Sequence, residues 1–555
     1  MTSGAPDRGS GRRTRGARLA AGVAVVVMGL LVTAAPASAH AQLESTYPDQ
    51  SSVLLTSPGR VELHFGEPVE IDFGSIRVLG PDGRRVDHGG TRHPAGDPDS
   101  VVTTLPAHLA DGSYVVAWRV VSADSHPVHG AYLFSIGNAG TGAGRELASA
   151  LAGSGGYQSV GVVAGVVRVV VLAALLLLVG VAAMVVALAP RTGRRRVGVL
   201  LWGAWAALVA GTVAGTVVQG AYAAALPLGR AWSWPLVRQV LGTRFGQVQV
   251  LRLVLLAAFV PVLLAVTGRI GAGPRGRWLV PGGLVALGLL LTPGLAGHAA
   301  TNGAAAGIPL DLAHMASASI WVGGISLLAA LWLQRGGSDG HVTELGRRFS
   351  PWALWAAAVV VASGVVQSVR EVGSWYALTN TTFGRTLAVK VALVLVLLGL
   401  GACSRRLVRA RDARWRWTVM AEVAAVGAVL VATALLVDAV PARQAAALPF
   451  VRSFQVLGVQ VNAVVQPARV GPGNSVHIYV LTIGGAPKAI PELDATMSLP
   501  SAGLGPIALP LSVAGPGHYR ASDVDFPQAG NWVLQITVRT TAVDEQQVGA
   551  TVPVH

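Results

Sequence analysis

A histidine near the start of the chain stands where a metal chelate can form. His40 follows the Ala-Ser-Ala stretch at residues 37–39, and basic residues and an apolar run at 19–32 precede that stretch. This is the pattern of a secretory signal peptide cleaved after Ala39. Cleavage would leave His40 with a free α-amine beside its imidazole, two nitrogens that suit square-planar Cu(II). Alternatively, the signal simply ends there and His40 has no role.

A second pair of candidate ligands lies further along the chain. Asp124 and His126 are two residues apart. On an extended strand such residues point to the same face, so an oxygen and a nitrogen ligand would converge. The alternative is a polar strand end before Pro127.

The elements that must position these residues follow a strand pattern. Val61, Leu63 and Phe65 alternate with polar residues, and a turn rich in Gly and Pro follows a later apolar run at residues 80–83. Repeated short strands with such turns are typical of a β-sandwich. We therefore predict an all-β sandwich over residues 40–138, followed by a Gly-rich linker over residues 139–158.

The middle of the chain has the composition of a membrane protein. Of the 555 residues, 52% are hydrophobic and only 12% are charged, and the mean hydropathy is +0.55. Long apolar segments predict an eight-span α-helical membrane bundle over residues 159–440. The predicted spans are residues 159–189, 198–225, 248–267, 278–297, 308–333, 351–370, 385–404 and 417–440.

Charge in the loops predicts the orientation of this bundle. Arginines concentrate after the first, third, fifth and seventh spans, which the positive-inside rule places in the cytoplasm. Both flanking regions would then lie on the extracytoplasmic side of the cell membrane, with the lipid bilayer around the spans. The net charge of +15 is thereby explained without nucleic acid as a partner.

Polar residues within the spans are candidates for a transport path. His298 ends the fourth span and His314 lies in the fifth, with Asp311 one turn earlier on the same helix face. A neutral imidazole is a common copper ligand, and a nearby carboxylate can orient the ring. The alternative is that these histidines only hold neighbouring helices together.

The N-terminal region resembles the CopC family of copper-binding proteins. The resemblance covers residues 40–137 and includes His40, Leu63-His64-Phe65-Gly66-Glu67-Pro68-Val69, Trp118-Arg119-Val120-Val121-Ser122-Ala123-Asp124-Ser125-His126-Pro127 and Gly130-Ala131-Tyr132-Leu133-Phe134-Ser135-Ile136. It implies a β-sandwich that holds Cu(II) through His40, Asp124, His126 and, in some members, Glu67. No Met lies in this region, and Cu(I) prefers thioether ligands, so we expect a Cu(II) site alone.

The other two regions also resemble known families. Asp311-Leu312-Ala313-His314, Ile320-Trp321-Val322-Gly323-Gly324 and Phe383-Gly384-Arg385-Thr386-Leu387-Ala388-Val389-Lys390 resemble CopD, the membrane partner of CopC. Residues 445–555 have a strand pattern that predicts a C-terminal β-sandwich, similar to the YtkA-like domain. The chain thus resembles a CopC–CopD fusion, and residues 1–39 would be its signal peptide.

The expected function is copper capture and transport. The resemblance implies copper uptake and resistance. We therefore expect copper import in homeostasis, without enzymatic activity and with copper chaperones on either side of the membrane as partners. No G-x-x-x-x-G-K-[ST] motif or aspartyl-phosphate loop is present, so transport would be passive, potential-driven or proton-coupled. Two other classes remain open: a membrane-anchored copper oxidase built on the His40 chelate, and a haem or quinone protein built on paired membrane histidines.

Overall fold

The computed structural model describes most of the chain after the predicted signal peptide. The residues described are 41, 43–50, 52–122, 125–137, 158–188, 194–268, 279–297, 304–333, 339–372, 375–410, 412, 414–439, 442, 450–466, 468–483, 488–515 and 517–554. His40, Asp124 and His298 lie outside them.

The N-terminal part is a sandwich of two sheets. Its strands are β1 (Leu43–Tyr47), β2 (Val53–Leu54), β3 (Arg60–Phe65), β4 (Val69–Leu79), β5 (Ser100–Thr104), β6 (Gly112–Ser122) and β7 (Pro127–Ile136). One sheet has the order β1-β3-β5 and the other β2-β7-β6-β4. The alternating apolar residues of β3 face inward, and Phe65 packs edge-on against Trp118 of the opposite sheet, with ring centroids 5.3 Å apart. Burial of these side chains explains why the two sheets pair face to face.

Helices form the middle of the chain. They are α1 (Gln158–Leu188), α2 (Arg194–Ala223), α3 (Trp234–Gly242), α4 (Arg244–Val266), α5 (Leu279–Ala296), α6 (Ala304–Trp332), α7 (Asp339–Val372), α8 (Trp375–Asn380), α9 (Thr382–Ala410) and α10 (Trp415–Asp438). Within the described residues, eight of them are long and apolar enough to cross a membrane, all except α3 and α8. Helix α1 packs against α2 and α6, and this group forms the centre of the bundle.

Helix α7 begins well before the residue that the sequence predicts. The sixth span was expected to begin at residue 351, but α7 begins at Asp339 and continues through Pro351. Glu344 forms ion pairs with Arg347 and Arg348, three and four residues later, at 3.5 and 3.4 Å. Such pairs stabilise a helix, which explains how the arginine-containing stretch becomes a helical extension rather than a loop.

The C-terminal part is a second pair of sheets. Its strands are β8 (Phe450–Val456), β9 (Val459–Gln466), β10 (Gly471–Thr482), β11 (Glu492–Leu499), β12 (Leu504–Ala508), β13 (Ser512–Gly515), β14 (His518–Phe526), β15 (Gly530–Arg539) and β16 (Glu545–Val554). The sheet orders are β13-β14-β10-β9-β8 and β12-β11-β15-β16, and Trp532 is buried between them. The fold class predicted from the sequence, a bundle between two β regions, is confirmed.

Candidate functional site

Two of the four predicted ligands of the N-terminal site are described, and both are shielded from water. Glu67 lies in the turn between β3 and β4 and is 2% exposed, while His126 lies between β6 and β7 and is 7% exposed. A buried carboxylate and imidazole supply oxygen and nitrogen donors that suit copper. The ligand roles of all four residues stay predictions, since His40 and Asp124 lie outside the described residues.

Strand register brings this part of the chain to one end of the sandwich. Val69 of β4 pairs with Ser122 of β6, so Glu67 and the turn after Ser122 lie at the same end of that sheet. The Ser122 amide donates to the carbonyl of His126 at 2.9 Å and closes the turn. In the other sheet Leu43 pairs with Phe65, two residues before Glu67. The register therefore brings the start of β1, the turn that contains Glu67 and the turn after Ser122 to the same end of the sandwich.

This turn lies directly against the membrane helices. Gln219 of α2 donates its side-chain amide to the carbonyl of Ser125 at 2.8 Å. The Ser125 hydroxyl donates to the carbonyl of Ala296, the last residue of α5, at 3.4 Å. Ser125 adopts a positive φ of 73°, a conformation that turns the chain sharply here. Both hydrogen bonds therefore join the β6–β7 turn to the bundle.

Further contacts hold the rest of this sandwich on the same helix ends. Arg119 of β6 donates to the carbonyl of Ala223, the last residue of α2, at 3.1 Å. The Gln239 side chain of α3 donates to the carbonyl of Asp72 in β4. Phe73 packs against an apolar cluster contributed by α1, α2 and α3. The arginine-rich ends of α2 and α9 lie at the opposite end of the bundle from this interface, as the helix directions require.

The membrane histidine His314 is held by a serine on the neighbouring helix. Its Nδ1 lies 2.9 Å from the Ser363 hydroxyl oxygen of α7. That hydroxyl donates its single hydrogen to the helix carbonyl of Val359 at 2.6 Å, so the serine oxygen must accept from His314 Nδ1–H. In the neutral ring, a hydrogen on Nδ1 leaves the lone pair on Nε2, the nitrogen that could bind copper.

The charged residues around His314 differ from the sequence expectation in one respect. Asp311 was expected to orient the imidazole, but Ser363 forms that hydrogen bond. Asp311 instead interacts electrostatically with Lys390 of α9. A carboxylate buried in a bundle is tolerated when a cation is near it, which explains this arrangement.

Sequence reasoning missed one buried carboxyl group in the bundle. Glu422 of α10 is 4% exposed and accepts a hydrogen bond from the Ser404 hydroxyl of α9. The hydroxyl of Thr418, one turn before Glu422, is also a hydrogen-bond partner of the Ser404 hydroxyl. A single Glu inside an apolar span is itself a signal of function or of structural pairing, so Glu422 could have been identified from the sequence.

Three family models match consecutive segments of the chain. The CopC domain matches residues 43–137, the N-terminal domain of copper resistance protein D-like proteins matches 159–308, and copper resistance protein D matches 343–436. Together they cover the first sandwich and most of the helical bundle, in the order that the sequence predicted.

Known proteins agree with these matches. The copper transport protein CutJ of Bacillus subtilis is 29% identical over 90% of this chain and 93% of its own length. Copper resistance protein C of Pseudomonas syringae pv. tomato is 33% identical over 20% of this chain and 93% of its own length. The crystal structure of CopC from Methylosinus trichosporium OB3b matches with 37% identity over 18% of this chain and 93% of that chain, with a TM-score of 0.17. The three family models and the sequence relatives show that this protein belongs to the CopC–CopD fusion family of copper transport or resistance proteins.

Proposed function

We propose that this protein captures Cu(II) at the N-terminal sandwich and imports copper through its helical bundle. The observation that carries this proposal is the position of Ser125. Its neighbours in the chain, Asp124 and His126, are two of the proposed ligands, and its own hydrogen bonds go to Gln219 and Ala296 of the bundle. A copper ion leaving such a site would be released at the mouth of the helices.

The proposed capture site consists of His40, Asp124, His126 and Glu67. Two nitrogens from His40, one from His126 and a carboxylate oxygen would supply a tetragonal Cu(II) site. Buried Glu67 and His126 support it, because the strand register leads the residues next to His40 and Asp124 to the same end of the sandwich. Relatives of the N-terminal sandwich are named copper resistance protein C, which supports copper as the ion.

The proposed path continues through the bundle by way of His314, with Asp311 and His298 near it. The Ser363 hydrogen bond fixes the ring through Nδ1–H, so that His314 in its neutral form would offer Nε2 to a copper ion. The relative CutJ is named a copper transport protein, which supports movement across the membrane over storage alone. The proposed orientation supports import, because it places the proposed capture site outside the cell and the arginine-rich helix ends inside.

The test is cellular copper content in a strain that lacks the protein, complemented with variants. The wild-type protein should raise copper content at limiting copper, and Gln219→Leu should lower the uptake rate at least about fivefold, because the partly buried Ser125 carbonyl loses its donor. Cu(II) affinity of the purified Gln219→Leu protein should equal that of wild type, since no ligand is changed.

A matched control distinguishes the β6–β7 turn from the rest of the interface between sandwich and bundle. Gln239→Leu removes a second glutamine donor between bundle and sandwich, at Asp72 and away from the turn. It should leave most of the uptake intact. Lower copper content in cells that express the wild-type protein would contradict import, and equal uptake by Gln219→Leu and wild type would contradict handover at Ser125.

A further inference from the structure

Two histidines of the C-terminal sandwich, far apart in sequence, lie side by side. His477 is on β10 and His518 begins β14, and these strands pair in the register His477↔Arg520 and Tyr479↔His518. The histidines are thus diagonal neighbours on one sheet face. His477 Nδ1 lies 3.0 Å from His518 Nε2, and the ring planes differ by 20°. The spacing of these residues along the chain gave no indication of such a pair.

Both rings are kept neutral by their surroundings. His518 is 3% exposed, and burial, with the nearby His477 and Arg520, lowers its pKa to about 4. Burial and Arg520 also lower the pKa of His477, while Asp49 opposes this shift. Among the described residues, His518 Nδ1 has no hydrogen-bond partner. Neutral imidazole is the form that binds metal, so both residues are in the protonation state of a ligand.

The pair faces the N-terminal sandwich. Tyr479 stacks on His518 with ring centroids 4.4 Å apart, and its hydroxyl donates to the carbonyl of Gln50 at 2.8 Å. Arg520 lies 3.9 Å from the Asp49 carboxylate. Gln50 and Asp49 follow β1 of the N-terminal sandwich, so the histidine pair lies where the two sandwiches meet.

The distance between the two nitrogens fits two ligands of one ion. Ligands about 2.0 Å from a copper ion and about 90° apart lie about 2.8 Å from each other. We propose that His477 and His518 bind a second Cu(II) ion in adjacent coordination positions, with water or a small anion completing the site. This inference rests on the proposed function only in taking copper as the ion that the protein handles.

Protons balance when the ion binds. In the empty pair one of the two facing nitrogens carries the hydrogen that joins them. When the ion binds both nitrogens from beside the line that joins them, that proton moves to the other nitrogen of the same ring, so each ring keeps one proton. With only two protein nitrogens, this site binds Cu(II) more weakly than the proposed four-residue capture site. A weaker affinity suits a site that passes on or stores copper beside the capture site.

The test counts Cu(II) bound by the full-length purified protein in competition titrations, with electron paramagnetic resonance to identify nitrogen ligands. Against a His126→Ala background, which removes a proposed ligand of the first site, His477→Gln should lose one further equivalent of Cu(II). His477 is only half buried, so this variant avoids the cavity that His518→Ala would open. If His126→Ala loses no copper, the capture site is wrong; if His477→Gln loses none, the second site is wrong.

Two further variants separate ligand loss from loss of packing. Tyr479→Phe removes the hydroxyl contact to Gln50 but keeps the stacked ring, and it should retain the second ion. Arg520→Gln removes a positive charge beside the pair and should tighten Cu(II) binding there by roughly threefold to tenfold. A pair that only stabilises the fold would show no such gain, and unchanged affinity in Arg520→Gln would overturn the proposal.

Discussion

The side chain of His314 shows how one hydrogen bond can prepare a ligand. The Ser363 hydroxyl donates its only hydrogen to the Val359 carbonyl of its own helix, so its oxygen accepts a hydrogen bond from His314 Nδ1–H. This hydrogen bond holds the ring in one orientation, and in the neutral ring Nε2 is the unprotonated nitrogen. Ser363 thus orients the imidazole in the way that hydrogen-bonding residues orient histidine ligands at metal sites.

We predict that His314→Ala reduces copper uptake to the level of cells without the protein. Cu(II) binding at the N-terminal sandwich should be unchanged, because that site lies in another part of the molecule. Ser363→Ala should reduce uptake about twofold to tenfold, since one hydrogen bond contributes roughly 0.5–1.5 kcal/mol.

Ser368→Ala is the matched control for the serine. Among the residues that the structure describes, its hydroxyl bonds only the Gly364 carbonyl of the same helix, so its loss should have little effect on uptake. Copper accumulation and expression are measured together in each strain. Normal accumulation by a well-expressed His314→Ala protein would show that His314 is not on the path.

A second residue-scale prediction concerns the amine of His40. An added N-terminal Gly would turn that amine into an amide while leaving every side chain in place. We expect the extension to weaken Cu(II) binding about as much as His126→Ala does, because the chelate loses one of its two nitrogens. Competition titrations of the full chain with authentic and extended N-termini, each confirmed by mass spectrometry, measure this. Equal affinities would mean that His40 does not chelate through its amine.

At the scale of the elements, two glycines set how closely the central helices cross. A Cβ added at Gly180 of α1 would lie 1.8 Å from the backbone oxygen of Ser319 in α6, and one at Gly323 would lie 2.1 Å from the backbone of Gly180. Helices this close require residues without side chains at the crossing. Since α6 also carries His314, the crossing sets the position of the proposed path.

We therefore predict that Gly180→Ala destabilises the bundle, by roughly 1–3 kcal/mol, because the helices must move apart. Gly203→Ala on α2 is the matched control, since no atom of the described part of the chain lies within 4 Å of its added Cβ. There alanine should be neutral or stabilising, as expected from its higher helix propensity. Thermal unfolding of the detergent-solubilised proteins compares the two. Equal midpoints would contradict a close α1–α6 crossing.

At the scale of the whole molecule, the two sandwiches contact each other, and the N-terminal sandwich also contacts the helical bundle. The Tyr479 contact to Gln50 joins the sandwiches, and the Ser125 contacts join the first to α2 and α5. A doubly charged ion entering from this side would gain about 4.6 kcal/mol per 100 mV of inside-negative potential, at about 2.3 kcal/mol per charge. The membrane potential alone could then drive import.

The proposed orientation can be tested with cysteines, because the chain has a single one, Cys403. In a Cys403→Ala background, Val543→Cys places a thiol on the exposed surface of the C-terminal sandwich, and Arg409→Cys places one at the arginine-rich end of α9. A membrane-impermeant maleimide should label the first in intact cells and the second only after permeabilisation. Labelling of Arg409→Cys in intact cells would reverse the orientation.

The sequence by itself determined the architecture of this protein. Spans of apolar residues and alternating strand patterns are local signals, since each reflects burial of a segment against a solvent or a core. The three-part fold and the family were therefore predictable. The sequence also identified His314, as a polar residue inside an apolar span, and His126, as part of an Asp-x-His pair. Both could be recognised from the residue type and its immediate neighbours in the chain.

Only the tertiary structure decided which distant residues meet. The contacts of Gln219 with Ser125, of Ser363 with His314 and of His477 with His518 join positions 94, 49 and 41 residues apart. Each depends on a strand register, a helix crossing or the docking of one part of the molecule on another. Those are set by the complementary packing of whole surfaces, which the periodicity of a single segment does not encode.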